Sequence, residues 1–326
     1  MRKVFLNGKF VDESEAKISI YDSALMFGDM VFEMTRSFNK RQFKLKEHID
    51  RLYRGLKILR IPIKYSVDEL IEICNDVQKT NEEFFKETDE HRLLINISRG
   101  PLGIYHRIFE KVEPTVVVAD FPLKWTVSGM DELLIPEEGI NAVITSQRAI
   151  PAELMEPKIK NRSRLFYQMA NIEASQFAGK NNWAVLLDND GFLTEGTGDN
   201  IFLVKDNIIY TPEPRNILVG ISRNYIFELA EQLNLKVVEK NLETYDAYDC
   251  DEFFMTATPF CILPVFKFNN IRISNKIGKI TQALHDKWSE NVNLDIWSQI
   301  KDFSNECRNE SSNAPTPYVF NQDVNS

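Results

Sequence analysis

The chain has 326 residues, 43% of them hydrophobic, with 39 Lys and Arg against 48 Asp and Glu, a net charge of −9 and a pI near 5.2. That length can bury a large core, while the acidic balance argues against a nucleic-acid or anionic-membrane surface, which needs clustered cations. The first residues, "MRKVFLNGKFVDESEAK", hold no apolar core of signal-peptide length, and no apolar run approaches the ~18 residues of a membrane span, so a cytoplasmic protein with small-molecule partners is expected.

Residues 1–120 alternate short strands and helices and form a first, small α/β domain. "KVFLNGKFV" reads as a hairpin turning at Asn7 and Gly8. "LKEHIDRLYRGLKILRI" places Leu45, Ile49, Leu52, Leu56 and Leu59 on one helical face. Arg51 falls off that face, where a surface cation is the plain reading and an anion contact the functional one. "RLLINIS" and "PTVVVAD" read as core strands, and between them "RGPLGIYHRIF" carries His106 and Arg107, a solvated loop pair or a carboxylate clamp.

Two prolines, two glycines and the loss of any period mark 121–139 as a linker. A larger domain is expected over 140–290. It holds the strand "NAVITS", a loop with Lys158 and Lys160 before an amphipathic helix, the strands "WAVLL" and "NIFLV", and the helix "SRNYIFELAEQLN". The stretch 291–326, rich in Asn and Ser, reads as a loose tail, and the sequons at Asn161 and Asn309 as coincidence. Cys74, Cys250, Cys261 and Cys307 show no C-x-x-C spacing, and His48, His91, His106 and His285 no ligand spacing, so buried thiols and no metal are expected.

Four short segments carry possible chemistry. "LTEGTGDNIFLV" sets Glu195 before two glycines, either an acid held close to a ligand or an exposed residue in a turn; a strand follows its G-x-G, so a dinucleotide loop fails on context. "DNDG", Asp188 to Gly191, lacks Ca²⁺-loop spacing and reads as a hairpin turn. In "VGISR", Ser222 reads as an N-cap, and the helix start at Ile221 and Ser222 could also hold an anion. "FMTATP" adds Thr256 and Thr258 at a strand end.

"MFGDMVFE", "KEHIDRL", the Lys160 segment, "LTEGTGDNIF", "VGISR" and "FMTATP", in that order from about Val4 to Trp288, resemble the class IV, fold-type IV pyridoxal-phosphate aminotransferases. The resemblance implies an α+β fold, with a small N-terminal α/β domain and a larger C-terminal β-barrel-like domain with flanking helices, and a homodimer. It implies pyridoxal 5'-phosphate as cofactor and Lys160 as the Schiff-base lysine, with Lys158 a bystander. Glu195 would face the pyridinium nitrogen, and Arg51, Ile221, Ser222 and Thr258 the phosphate.

The chain departs from the branched-chain pattern at Phe27, where a tyrosine is usual, and at Leu165, where the tyrosine of an Asn-Tyr pair would stand. It departs again at Pro259 and Phe260, where small residues usually offer N–H groups to the substrate carboxylate; proline has none. Phe27 and Phe260 imply an apolar substrate pocket, and His106 with Arg107 a substitute carboxylate contact. The activity implied is transfer of an amino group between a hydrophobic, branched-chain type amino acid and 2-oxoglutarate. A D-amino-acid or (R)-amine transaminase is the alternative, then an aminodeoxychorismate lyase. A binding protein that kept the fold without the cofactor is opposed by the presence of Lys160, Glu195 and Arg51 together.

Overall fold

The computed structural model describes residues 1–109 and 111–310. Its contacts divide the described residues into two compact units, one of residues 1–126 with 158–164, the other of 127–157 with 165–310.

The first unit is an antiparallel five-stranded sheet in the order Lys9–Asp12, Lys3–Leu6, Thr115–Pro122, His91–Ser98, Met30–Met34. Asn7 and Gly8 turn the first hairpin at φ 50° and 93°, the two positive values that a two-residue turn of this hand requires. The helices Leu45–Leu59 and Val67–Asn81 bring Ile49, Leu52, Leu56, Leu70 and Val77 into one core with Leu93, Ile95 and Ile97 of the sheet. Strand alternation therefore sends Arg92, Leu94, Asn96 and Ser98 to the opposite face. A capping box between Ser66 and Glu69 starts the second helix.

In the second unit six strands close into a barrel. Asn182–Leu187 pairs with Ile140–Arg148, then follow Cys261–Phe268, Glu252–Ala257, Asn200–Lys205 and Leu193–Gly196, which pairs back with Asn182–Leu187. The strands Ile208–Pro212 and Lys236–Lys240 extend the sheet beyond this ring. The helices Leu165–Ser175, Ile221–Gln232, Lys279–Val292 and Ile296–Glu310 belong to the same unit.

Three boundaries differ from the sequence reading. The lysine segment, residues 158–164, groups with the first unit although it falls inside the span 140–290, because it adds to the edge strand Met30–Met34. Residues 121–139 are not featureless: a strand runs to Pro122, and helical turns follow at Lys124–Val127 and Met130–Leu134. The expected loose tail holds the helix Ile296–Glu310, with Ile296, Trp297, Ile300 and Phe303 buried at helical spacing; residues 311–326 of that stretch lie outside the described residues. Among the described residues no helix is long and apolar enough to cross a membrane.

Candidate active site

In the first unit, Phe32 N donates to Lys160 O at 2.9 Å and Arg162 N to Met30 O at 3.0 Å, with Val31 and Asn161 facing one another. The lysine is thus in extended backbone bonded to a strand, and the helix begins only at Leu165. Ile159 enters the sheet–helix core, so alternation turns Lys160 to the other face, where its Nζ stands 4.8 Å from the centre of the Phe32 ring. Lys160 is half-buried and Lys158 exposed.

The same segment is clamped from its other side. Ser163 Oγ donates to the carbonyls of Phe27 and Gly28 at 3.3 Å. Gly28 has φ 67°, and a Cβ there would lie 2.6 Å from Ser163 Oγ, so both conformation and space call for glycine. The short helix Ser23–Phe27 is held by buried Asp22, which accepts from Ala24 N at 2.9 Å and from Ser98 Oγ and Thr115 Oγ1 at 2.6 Å each. Phe27 therefore sits on a fixed turn against the lysine segment, with its side chain 67% exposed.

Arg51 is not a surface cation. It is buried, and its Nε and Nη2 donate to Glu33 Oε1 at 2.6 Å and Oε2 at 2.8 Å. His48, one turn earlier, meets the same Oε2 through Nδ1 at 2.8 Å. Burial pushes the Glu33 carboxyl up, but the charge of Arg51 and then of His48 outweighs it and holds the group well below the usual carboxylate range. Burial lowers the His48 pKa, outweighing the opposing pull of Glu33, and the charges of Arg51 and Lys160 act in the same direction as burial.

In the second unit the register lines up Glu195, Asn200 and Thr256 across three adjacent strands. Glu195 is buried; Oε1 accepts from Tyr167 Oη at 2.8 Å, and Oε2 from Leu218 N at 3.0 Å and Asn200 Nδ2 at 3.1 Å. Asn200 Nδ2 also donates to Leu218 O at 2.9 Å, tying this carboxylate to the loop that leads into the helix Ile221–Gln232. Gly220, not Ser222, is the N-cap of that helix, and a Cβ on it would meet Asn200 Oδ1 at 2.2 Å. Ser222 is buried in the first turn, where the backbone N–H groups have no intrahelical acceptor. Thr258 lies two residues past Thr256, in the turn between the strands Glu252–Ala257 and Cys261–Phe268.

Glu195 has a carboxyl neighbour. Asp199, half-buried, packs over Gly196, and burial, then the Glu195 charge, pushes its pKa up to about 8. Its Oδ1 is enclosed without a hydrogen-bond partner among the described residues.

The structure thus gathers Lys160 with Arg51's neighbourhood, and separately Glu195 with Ile221, Ser222 and Thr258. Phe260 is buried with its ring 5.8 Å from that of Trp183. His106 and Arg107 are exposed, and Arg107 makes no hydrogen bond or ion pair within the described residues. Sequence reasoning missed Glu33, His48, Tyr167, Asn200 and Asp199. The one signal available was spacing: His48 and Arg51 stand three apart on a helix, and so share a face.

The amino-transferase class IV family model matches residues 30–268. The chain is 38% identical over 291 residues, 88% of its length and 96% of the relative's, to a Methanocaldococcus jannaschii protein provisionally assigned as a branched-chain-amino-acid aminotransferase. It is 30% identical over 296 residues to a Staphylococcus aureus D-alanine aminotransferase, covering 90% of this chain and 98% of that one. The crystal structure of the T.th. branched-chain amino acid aminotransferase with pyridoxamine 5'-phosphate is similar with a TM-score of 0.78 and 29% identity, over 89% of this chain and 94% of that one. The chain belongs to the class IV aminotransferases, and its closed barrel and smaller α/β unit are the fold-type IV architecture.

Proposed function

We propose that this aminotransferase uses pyridoxal 5'-phosphate and moves amino groups between hydrophobic, branched-chain type amino acids and 2-oxoglutarate. The observation that carries the cofactor reading is the buried Glu195 carboxylate, with Tyr167, Asn200 and the Leu218 N–H fixing both its oxygens. A carboxylate so oriented suits a protonated ring nitrogen; in the same unit the open helix start at Ile221 and Ser222, with Thr258, suits a phosphate, and in the first unit the Arg51 guanidinium suits an anion. Bound there, the cofactor supplies an aldehyde for the amine and a ring that accepts the electrons of the substrate carbon.

The chain's residues do the rest. Lys160 would hold the cofactor through its amine, and its Nζ would carry the proton of the substrate's α-carbon. Glu195 keeps the ring nitrogen protonated. Glu33 fixes the plane of the Arg51 guanidinium while leaving it charged. Exposed Phe27, on its clamped turn, offers apolar surface for the donor side chain.

Likeness to the M. jannaschii and T.th. proteins supports the branched-chain donor class. The second reading, a D-amino-acid donor, is favoured by Leu165 in place of the tyrosine usual in the branched-chain enzymes and by the likeness to the S. aureus enzyme. The test is a half-reaction: purified protein mixed with L-leucine, L-isoleucine, D-alanine or an (R)-amine, with no acceptor, while the near-visible absorbance is followed. Bleaching by the L-amino acids supports the proposal, and bleaching by D-alanine or amines alone replaces it with the second reading. Absence of the band in Lys160→Ala is expected; its persistence would remove Lys160 from its role.

A further inference from the structure

The segment that carries Lys160 also carries a guanidinium on the same side. Residues 159–162 run extended along the strand Met30–Met34, so Lys160 and Arg162, two apart, project to one face, opposite buried Ile159. Arg162 Cζ lies 3.6 Å from the centre of the Phe32 ring, over which Lys160 Nζ stands at 4.8 Å. Arg162 Nε and Nη2 both donate to Asn96 Oδ1, at 3.1 and 2.9 Å, and Asn96 is the residue opposite Phe32 on the neighbouring strand. A ring below and an amide beside it hold the guanidinium in one plane.

From this geometry we infer that Arg162 binds the α-carboxylate shared by the amino donors and oxo-acid acceptors. This rests on the reading that Lys160 is the reacting amine. An amino acid that exchanges with Lys160 carries its carboxylate on the same carbon as the amine, so the group that recognises it must stand close to Lys160 Nζ. A guanidinium matches a carboxylate fork to fork. The chain also needs such a group: Pro259, in the turn after Thr258, has no N–H to offer a carboxylate. Arg164, 5.1 Å from the same ring, bonds through Nε to Asn161 O and adds positive potential to this face.

A purely structural Arg162, there to cover Phe32, predicts something different: its loss would weaken charged and uncharged ligands alike. The experiment uses the cofactor-loaded protein, Arg162→Gln, Arg162→Lys and, for comparison, Arg107→Ala. Calorimetry gives the Kd of 4-methylvalerate, a carboxylate that cannot react, and of its neutral amide.

In Arg162→Gln the carboxylate Kd should rise about 10- to 100-fold, the loss that follows from removing a charged hydrogen-bond pair. The amide Kd should be unchanged, and the KM for L-leucine should rise with the carboxylate Kd while kcat changes far less. Arg162→Lys, which keeps the charge and loses the fork, should fall between. The near-visible band, equal in wild type and Arg162→Gln, shows that the cofactor reading stands on its own. With that band intact, an unchanged carboxylate Kd, an equal loss for the amide, or an effect seen in Arg107→Ala instead overturns the inference. A wild type without the band overturns the underlying reading, and this one with it.

Discussion

The Arg51 guanidinium meets the Glu33 carboxylate edge to edge, Nε to Oε1 at 2.6 Å and Nη2 to Oε2 at 2.8 Å, with both side chains buried. Taking one charge from such a pair strands the other in the interior. Glu33→Gln is therefore expected to lower unfolding stability by about 3–5 kcal/mol in chemical denaturation. The Glu33 pKa is depressed in the fold, so its contribution is present above its unfolded value near 4.5 and is lost as pH falls below that. Wild type should lose stability over this acid range more steeply than Glu33→Gln; parallel curves would mean that the pair stores no such energy.

Tyr167 Oη donates to Glu195 Oε1 from the helix that follows the lysine segment. Tyr167→Phe removes a donor that fixes this carboxylate and leaves the ring's packing in place. A hydrogen bond to a charged acceptor contributes about 1.5–3 kcal/mol, and we expect weaker cofactor retention on dialysis and a shift in the position or pH dependence of the near-visible band. An unaltered spectrum and unaltered retention would confine Tyr167 to packing.

Motifs made of consecutive residues are legible in the sequence because the backbone itself builds them: the hairpin at Asn7 and Gly8, and the turn that follows the strand of Glu195. Arg51 stands out in the sequence but its partner does not, because Glu33 is 18 residues away on a strand and no local period joins them. Residue type makes Ser222 an N-cap, whereas the extended backbone of Gly220, φ −67° and ψ 142°, starts the helix two residues earlier, where Asn200 leaves no room for a Cβ. The helix Ile296–Glu310 is hidden by its polar composition, although Ile296, Ile300 and Phe303 are spaced as one apolar face. Tyr167 is not found by counting from the lysine, since the tyrosine position of the branched-chain pattern holds Leu165.

Gly28→Ala tests how tightly the lysine segment is held. Its φ of 67° is strained for alanine, and the new Cβ would stand 2.6 Å from Ser163 Oγ, itself bonded to the carbonyls of residues 27 and 28. The conformational part alone costs about 1 kcal/mol or more. The substitution should push Ser163 away and lower kcat by moving Lys160, with a smaller loss in melting temperature. Ser163→Ala, which removes the clashing oxygen, should restore part of the activity to Gly28→Ala; a double variant no better than Gly28→Ala would place the damage in the backbone strain alone.

Asp199 gives the protein an alkaline liability. Burial, and then the Glu195 charge, raise its pKa to about 8, while the Gly198 N–H works the other way. The folded chain keeps a proton here between about pH 4 and 8 that the unfolded chain, at the ordinary value of 3.8, has released. Stability due to this group is therefore complete below about pH 4 and is lost as pH rises through about 8. Asp199→Asn keeps the shape and removes the proton, so its melting temperature should match that of wild type near pH 4, lead it by a margin that grows as pH rises to about 8, and hold that lead above. The same variant should leave Glu195 the only ionised carboxylate of the pair at high pH and extend the alkaline limb of the activity profile. A constant difference in melting temperature across the range would show that Asp199 is ionised in the fold throughout.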